Sequence, residues 1–506
     1  MSQSDMGELF DLSEMWEKTE IIKGRIMEQL LTKILEKALL DGCEYADIRF
    51  EDGESEAISV KNEKMEAIKR NQYEGFGIRV LKNGAWGFSS SSTISEFSFQ
   101  KVLKEAITIA NASRLVPGPS VLLGKPEKHI QQVPNQAKKD PFAVSLSEKM
   151  DLLTDTTNKM NIGPEIQYRN ASLRFRKIHK WFASTEGSMI EQDRMETGAG
   201  LSAVAIGNDD MQTRSYPNSF GGDFSILGYE FVEQMDLPGN AKKYAEEAKS
   251  LLFAKQCEEG IKDIVLDGNQ LALQVHESIG HPTELDRIYG FEAAYAGTSF
   301  LVPEHLNKLQ LGSPIVNITA DATAAGALGS IAFDDEGVLG QRIFLVKNGL
   351  FVGYLNSRET AAMIGMKPMG AMRADHWSHI PLIRMTSINL LPGDKTLDEL
   401  FAGISDGLFI SGIKSWSIDD RRLNFQFGSE IAWEIREGKL GNVVKNPSYI
   451  GVTPAFWNSC DGIANQNFYH VWGVPNCGKG EPSQIMTVSH GTAPARFRNV
   501  KVGVAR

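Results

Sequence analysis

The sequence predicts an α+β protein in which a small helix-and-strand domain precedes a larger, β-rich domain with one helix that carries reactive side chains. An amphipathic helical pattern opens the chain, strand-like alternation follows it, and short apolar segments between Gly, Asp and Asn turns fill the C-terminal half. A chain of 506 residues is also too long for one ordinary core. We therefore divide it into a tail (1–24), an N-terminal α+β domain (25–115), a middle region (116–258) and a C-terminal β-rich domain (259–506).

The N-terminal domain is predicted to contain helix, antiparallel strands and helix in that order. Residues 25–41 place leucines and isoleucines at helical spacing, and Gly42 predicts the end of this helix. Alternating segments follow, and Lys-Asn-Gly at 82–84 between two apolar runs predicts a β-hairpin. Thr93 and Glu96 form a capping-box pattern, which predicts the start of the second helix.

The middle region begins with a proline-rich segment, 115–142, which predicts a linker or a long surface loop. Ser145 and Glu148 have the spacing of a helix cap, so a helix is expected to start there. A polar helix near 240–255 closes the region. Between the two helices, two long alternating stretches predict strands, at 165–184 and 188–207.

Composition excludes several classes of protein. The formal charge of −11 argues against a general binder of nucleic acid or of anionic membranes. No window approaches the roughly 20 apolar residues of a membrane helix, and the N-terminal sequence has no basic stretch followed by an apolar run, so no signal peptide is expected. Four cysteines in so long a chain do not make a disulfide framework. We therefore expect a cytoplasmic protein whose thiols are reduced and free to bind metal.

Residues 276–281 read HESIGH, and two histidines with a glutamate directly after the first are typical of a hydrolytic zinc site on a helix. Histidines four residues apart share a helix face, but histidines five apart diverge by about 140° in an ideal helix. A π-type turn, which bonds residue i to i+5, would bring them into line. Gly280 permits unusual dihedrals and Pro282 disfavours the helical region for His281, so we expect a widened or broken final turn.

If zinc binds here, His276 and His281 would supply two nitrogens, and Glu277 would be the general base that deprotonates a water acidified by the metal. In the alternative interpretation the motif arises by chance, and its side chains only form hydrogen bonds or are solvated. A catalytic zinc also needs a third protein ligand and an open position. Spacing leaves that ligand open among Glu284, Asp286, His305, His376, His379, Cys460 and Cys477, the last of which lies in the Pro/Gly-rich segment VPNCGKGEP.

Several further segments occur in a fixed order along the chain. They are GFGIRVLKNGAWGFSSSS near the N-terminus, and then HESIGH, IAFDDEGVLGQRIFLVKNGLFVGYL, SRETA, IRMT, LLPGDKTLDELF and CGKGEP. Together they resemble the TldD/PmbA family, once called modulators of DNA gyrase, from about residue 25 to residue 506. The resemblance implies an α+β N-terminal part and a β-rich C-terminal metalloprotease domain.

The resemblance also implies a zinc peptidase with one Zn²⁺ per chain. His276 and His281 match the histidine ligands of the family, Glu277 matches the catalytic glutamate, and Cys477 matches the third ligand, which leaves Cys460 structural. The family forms dimers in which a TldD-type subunit carries HExxxH and a PmbA/TldE-type partner lacks it, so this chain is expected in a homodimer or in a heterodimer with such a paralogue.

The implied activity is cleavage of small, unfolded or modified peptides. Two alternatives belong to other classes: a non-catalytic peptide-binding subunit that partners a paralogous protease, and a metal-dependent amidase or esterase. The acids Asp334, Asp335 and Glu336 match the family's DDEG segment, and they could order a turn, bind a peptide amine or be solvated, with a structural role favoured. Residues 366–379 follow the family only loosely, so no substrate contact is inferred there.

Overall fold

The structure is a computed structural model that describes residues 12–124, 127–219 and 221–505, with only the backbone described for 12–23. The predicted tail, 1–24, lies partly outside this range. The α-helices are α1 (Leu12–Leu40), α2 (Glu96–Ser113), α3 (Leu146–Lys159), α4 (Tyr229–Met235), α5 (Leu237–Leu251), α6 (Gly268–Val275), α7 (Leu285–Ile288), α8 (Ala293–Ala296), α9 (Arg358–Met363), α10 (Leu397–Ala402) and α11 (Thr453–Asn458).

One sheet runs through both the N-terminal and the middle regions. Its strands are β1 (Tyr45–Lys61), β2 (Lys64–Lys82), β3 (Ala85–Ser91), β4 (Ile130–Val133), β5 (Ile166–Ser184), β6 (Met189–Gly207), β7 (Asp210–Tyr216) and β8 (Asp223–Ser225). The strand order is β3-β2-β1-β5-β6-β4, and β7 and β8 also pair with β6. Because β1 pairs with β5 along almost its whole length, the predicted regions 25–115 and 116–258 share a continuous sheet.

Local turn chemistry explains several of the element boundaries here. The hairpin predicted at 82–84 is confirmed, since Asn83 (φ +53°) and Gly84 (φ +71°) take the left-handed conformation that a tight β2–β3 turn requires. The cap predicted at Ser145 is also confirmed, because its side chain accepts a hydrogen bond from the backbone N–H of Glu148. The cap predicted at Thr93 is wrong. Ser95 caps α2 instead, since its side chain accepts from the N–H three residues further on.

The C-terminal region and the residues just before it contain sixteen described strands. They are β9 (Lys255–Gln256), β10 (Gly260–Leu266), β11 (Ile318–Asp321), β12 (Arg342–Lys347), β13 (Leu350–Phe351), β14 (Met372–Arg373), β15 (Leu382–Ile383), β16 (Ser387–Leu390), β17 (Asp406–Ile418), β18 (Asn424–Arg436), β19 (Lys439–Lys445), β20 (Pro447–Val452), β21 (Cys460–Ile463), β22 (His470–Lys479), β23 (Gln484–Thr492) and β24 (Ala495–Val504).

These strands form two large sheets and a two-stranded ribbon, β14-β15. The first sheet has the order β17-β10-β24-β20-β18-β19-β9, and because β17 also pairs with β18, five of its strands close into a ring. The second sheet has the order β13-β12-β11-β16-β23-β22. Helix α6 contacts β17 of the first sheet and β23 of the second, and all its residues are buried. The predicted α+β class is confirmed.

The sequence shows one clear helical stretch in this region, the one with the two histidines, and the structure contains further helices. Helices α7 to α11 are also present, each four to six residues long. Helices of one or two turns are too short to show a helical repeat in the sequence, which explains why they were missed. None of the helices in the described part of the chain has the length and apolar character needed to cross a bilayer.

The first of the three consecutive acids at 334–336 orders a turn. The carboxylate of Asp334 accepts the backbone N–H groups of Glu336 and Val338 at 2.9 Å and that of Met372 at 3.0 Å. These bonds tie the turn to strand β14, which begins at Met372. Asp334 is buried, and its partners are backbone groups of its own C-terminal region.

The other two acids join this turn to the N-terminal sheet. Asp335 lies 2.9 Å from Lys180 Nζ and 3.5 Å from Arg49 Nη1, and Glu336 lies 3.3 Å from Arg79 Nη1. Burial alone would raise the pKa of Asp335, but Lys180 and Arg49 outweigh it and hold the pKa below its ordinary value. The predicted structural role of this segment therefore agrees with its contacts, which dock one region of the molecule on another.

Candidate metal centre

The segment with the two histidines continues helix α6. The carboxylate of Asp267 accepts the N–H of Gly268 at 2.8 Å and starts the helix, which is followed by a π-helical turn, His276–Gly280. In that turn the N–H of His281 donates to the carbonyl of His276, five residues earlier. The predicted widened turn is thus confirmed, and it brings the two imidazole rings to a centroid distance of 4.8 Å.

The dihedral angles predicted for this turn are wrong. Gly280 (φ −57°, ψ −67°) and His281 (φ −59°, ψ −42°) both stay in the right-handed helical region. The widened turn absorbs the extra residue within helical geometry. Pro282 is the second residue of a 3₁₀ turn, His281–Thr283, where a missing N–H costs little. Gly280 is needed for space instead, because a Cβ there would lie 2.3 Å from the sulfur of Met385.

Three side chains converge beside this turn. One ligand atom from each of His276, His281 and Cys477 lies within 4.8 Å of the other two, and all three residues are buried. Cys477 Sγ lies 3.8 Å from His281 Nε2, whereas a tetrahedral zinc would hold such atoms about 3.5 Å apart. Cys477 follows a bulge in strand β22, and such an irregularity changes the direction of a side chain. The cluster could therefore hold a metal ion after only small movements.

The remaining candidates for a third ligand do not join this cluster. Within the described part of the chain, no other group of three His, Cys, Asp or Glu residues converges in this way. Glu284 contacts the outer nitrogen of His281, Nδ1, and Asp286 contacts Lys479. The others have partners outside the cluster: His376 contacts Ser378, His379 contacts Asp375, and Cys460 contacts the carbonyl of Gly462. His305 lies in a 3₁₀ turn, Pro303–His305.

Each histidine of the cluster has a buried partner on its other ring nitrogen. His276 Nδ1 lies 2.7 Å from His490 Nε2, and His281 Nδ1 lies 2.9 Å from a carboxylate oxygen of Glu284. With Nδ1 engaged, the Nε2 atoms are the ones that can bind metal. Burial and the neighbouring His276 hold the pKa of His490 well below its ordinary value, which keeps this ring neutral and able to accept a hydrogen bond.

A buried ionic cluster lies behind His281 and holds Glu284 in place. Arg287 Nη2 lies 2.9 Å from Glu292, and Lys479 Nζ lies 2.8 Å from Asp286 and 3.4 Å from Glu284. Lys479 also belongs to the strand that carries Cys477, so the same cluster ties that strand to the segment after the π-helical turn. Such outer contacts fix the orientation of the side chains that bind a metal.

The electrostatics around Cys477 favour the thiolate, the form that binds metal. Burial alone would raise the pKa of this thiol, but His276, Arg384 and His281 outweigh it, and the pKa lies well below its ordinary value. The guanidinium of Arg384 also donates a hydrogen bond to the backbone carbonyl of Cys477. Two histidine nitrogens and one thiolate make a donor set that suits zinc.

Glu277 lies beside the cluster and is paired with a residue that the sequence did not reveal. Its carboxylate is 2.6 Å from Nη1 of Arg422, in the turn between β17 and β18. Both side chains line a cavity of about 280 Å³, whose wall also includes His276, His281, Cys477, Tyr295 and Trp416. Neither His490 nor Arg422 could be found from motif spacing, since each is far from HESIGH in the chain and lies outside any local motif.

The hydrogen bond that His276 Nδ1 donates to His490 is expected to strengthen metal binding. Replacing His490 by Phe removes the acceptor for His276 Nδ1, and loss of an outer partner of this kind typically lowers metal affinity roughly 10- to 100-fold. His490→Gln, which keeps an acceptor, should lose less. Zinc affinity is measured by competition with a chromophoric chelator, and His490→Phe binding zinc as tightly as the wild type would contradict this role.

Three family models match the chain in order. They are the PmbA/TldA metallopeptidase domain 1 at residues 46–110, the central domain at 139–254 and the C-terminal domain at 259–504. Among curated proteins, a metalloprotease of Methanothermobacter thermautotrophicus is 30% identical over 463 residues, which are 92% of this chain and 96% of that protein. A zinc metalloprotease TldD homolog of Saccharolobus solfataricus is 22% identical over 477 residues, which are 93% of this chain and 99% of that protein.

Solved structures share the fold at lower identity. A Thermotoga maritima protein named for a proposed role as a modulator of a DNA gyrase superposes with a TM-score of 0.75 at 18% identity, over 94% of this chain and 100% of that one. TldE from Thermococcus kodakarensis superposes with a TM-score of 0.70 at 15% identity, over 94% of this chain and 99% of that one. With three family domains matched in order and 30% identity over nearly the whole length of a curated relative, the chain belongs to the PmbA/TldD family of metallopeptidases.

Proposed function

We propose that this protein is a zinc-dependent peptidase that hydrolyses small, unfolded or modified peptides, with Glu277 as the general base. The observation that supports it best is the convergence of His276, His281 and Cys477, with Glu277 next to them on the wall of one cavity. The zinc metalloprotease named among the relatives supports zinc as the metal. We propose one ion per chain, held by the two histidines and the cysteine.

In this proposal each residue of the site has a separate role. Bound zinc would acidify a water and polarise the scissile carbonyl. Glu277 takes a proton from the attacking water and delivers it to the nitrogen of the leaving amine, which a carboxylate at the edge of the cavity can do. His490 and Glu284 keep the two histidines in the orientation that binding requires.

The shape of the site supports peptides as the substrate. A cavity of about 280 Å³ accommodates a few residues and excludes a folded domain. Strand β22, which carries Cys477, is the last strand of its sheet, and an edge strand can pair with an extended peptide through backbone hydrogen bonds that accept many sequences. We propose that the substrate lies along this edge.

We also propose that the chain is cytoplasmic and works as a dimer, with a second copy or with a PmbA/TldE-type paralogue. The alternative of a non-catalytic binding subunit is less well supported. A subunit of that kind has no use for a general base, and here Glu277 stands directly beside a complete donor set.

Metal removal tests the proposal. Zinc-loaded protein is incubated with a mixture of unstructured synthetic peptides, and the products are identified by mass spectrometry. We expect cleavage that stops when a zinc chelator is added and returns when zinc is restored, while a folded protein added as a control stays intact. Folded, zinc-loaded protein that leaves every peptide uncut would contradict the peptidase proposal and favour the binding-subunit alternative.

A further inference from the structure

The turn that carries Arg422 is held rigidly by its own hydrogen bonds. Arg422 has a left-handed backbone (φ +61°), and the carboxylate of Asp419 accepts the N–H groups of Leu423 at 2.8 Å and Asn424 at 3.1 Å. The hydroxyl of Thr453 donates to the carbonyl of Arg422 at 3.0 Å. A non-glycine residue in this conformation needs support from its surroundings. The turn thus directs the guanidinium into the cavity.

The guanidinium has donors to spare at the reaction site. One N–H of Arg422 is paired with Glu277 Oε2 at 2.6 Å, and its Nε is buried without a hydrogen-bond partner among the described residues. A guanidinium carries five N–H donors in a fixed plane. The Arg422 side chain is 14% exposed, and it faces the same cavity as the cysteine and histidine cluster.

The ion pair places a full positive charge beside the group that would take a proton during hydrolysis. A guanidinium binds a negative oxygen more strongly than a neutral donor does. Arg422 lies 2.6 Å from Glu277 and lines the same cavity as His276, His281 and Cys477. This position and its unused donors suggest a second role, toward a negative charge that forms on the substrate.

We propose, on the basis of the peptidase function proposed above, that Arg422 is a catalytic residue that transfers its ion pairing from Glu277 to the substrate. Before the reaction, the negative charge is on Glu277. During attack, the water oxygen bonds to the scissile carbonyl carbon, one water proton moves to Glu277, and the carbonyl π electrons move onto the carbonyl oxygen. Glu277 becomes neutral as that oxygen becomes negative, so one negative charge is conserved and Arg422 changes its partner.

The largest expected effect is on the chemical step. Removing one donor to a developing oxyanion typically lowers kcat roughly 10²- to 10³-fold. Arg422→Gln should therefore lower kcat by about that factor, with KM for a cleaved peptide and zinc content close to those of the wild type. Arg422→Lys keeps a charge without the planar donor geometry and should recover part of the loss. Arg421→Gln is the matched control, because Arg421 is an exposed arginine of the same turn.

A second measurement does not depend on turnover. An acetylated alanine tetrapeptide in which a phosphinic group replaces the central amide carries negative oxygens like those of the attacked carbonyl. Calorimetry measures how tightly this phosphinic compound binds zinc-loaded wild type, Arg422→Gln and Arg421→Gln. The affinity of the ordinary alanine tetrapeptide for the same three proteins is measured for comparison. We expect Arg422→Gln to weaken the phosphinic compound by at least 10-fold and the ordinary peptide by less than 3-fold.

The outcomes separate this proposal from the proposed function. If the wild type cleaves peptides and the kcat of Arg422→Gln is within 3-fold of the wild-type value, the role of Arg422 is overturned. The peptidase proposal would still stand. Equal weakening of the phosphinic and the ordinary peptide would also overturn the role of Arg422, since that result indicates ground-state binding or structure. A zinc-loaded wild type that cleaves nothing contradicts the peptidase proposal, and selective loss of phosphinic affinity in Arg422→Gln would still support anion binding by Arg422.

Discussion

Replacing Glu277 by Gln is expected to abolish peptide hydrolysis while zinc stays bound. The amide has nearly the shape of the carboxylate and can still accept a hydrogen bond from Arg422, but it cannot take a proton from water. General-base catalysis typically contributes about 10²- to 10⁴-fold, so kcat should fall by at least that range. The loss is measured with zinc-loaded protein on a cleaved peptide, and zinc content by mass spectrometry.

Glu304→Gln is a suitable control for this substitution, because Glu304 is an exposed glutamate away from the cavity. It should match the wild type in zinc content and in kcat. Glu277→Gln with more than a tenth of the wild-type kcat would remove the general-base assignment. If zinc were lost together with activity, Glu277 would instead have to be counted among the groups that hold the metal.

Replacing Cys477 by Ala is expected to remove most of the zinc. The variant keeps only the two histidines of the proposed ligand set, and because loss of an outer partner alone costs up to about 100-fold in affinity, loss of a ligand should cost more. His281→Ala should have a similar effect, since the widened turn brings that ring beside His276. Zinc per chain is measured after dialysis against a weak chelator, and circular dichroism checks that the variants fold.

Cys460→Ala is the matched control, because Cys460 is also a buried cysteine but contacts the carbonyl of Gly462 in strand β21. Its zinc content should equal that of the wild type. Full zinc occupancy in folded Cys477→Ala would place the third ligand elsewhere. Glu284 is an acidic group that already contacts His281 Nδ1, so Cys477→Ala combined with Glu284→Gln would then test whether it takes that place.

Two residues at the metal centre have roles that their sequence context did not reveal, for one physical reason. Gly280 was expected to supply unusual dihedrals, yet it is helical and makes room for Met385, a residue more than a hundred positions away. Glu284 was a candidate ligand, yet the ionic cluster around Lys479 holds it against His281 from outside. In both cases a residue type was interpreted from its neighbours in sequence, while its role was decided by a contact between distant segments.

The sequence by itself determined the α+β class, the hairpin at 82–84, the cap at Ser145 and the widened turn at 276–281, because each depends on residues within a few positions of one another. The family resemblance selected Cys477 from the candidates for the third ligand. Only the tertiary structure decided that the sheet is continuous from β1 to β5, that His490 supports His276 from 214 residues away, and that Arg422 faces Glu277 from 145 residues away. Such contacts arise when separate elements pack together, and packing between distant segments leaves no periodic or local pattern in one sequence.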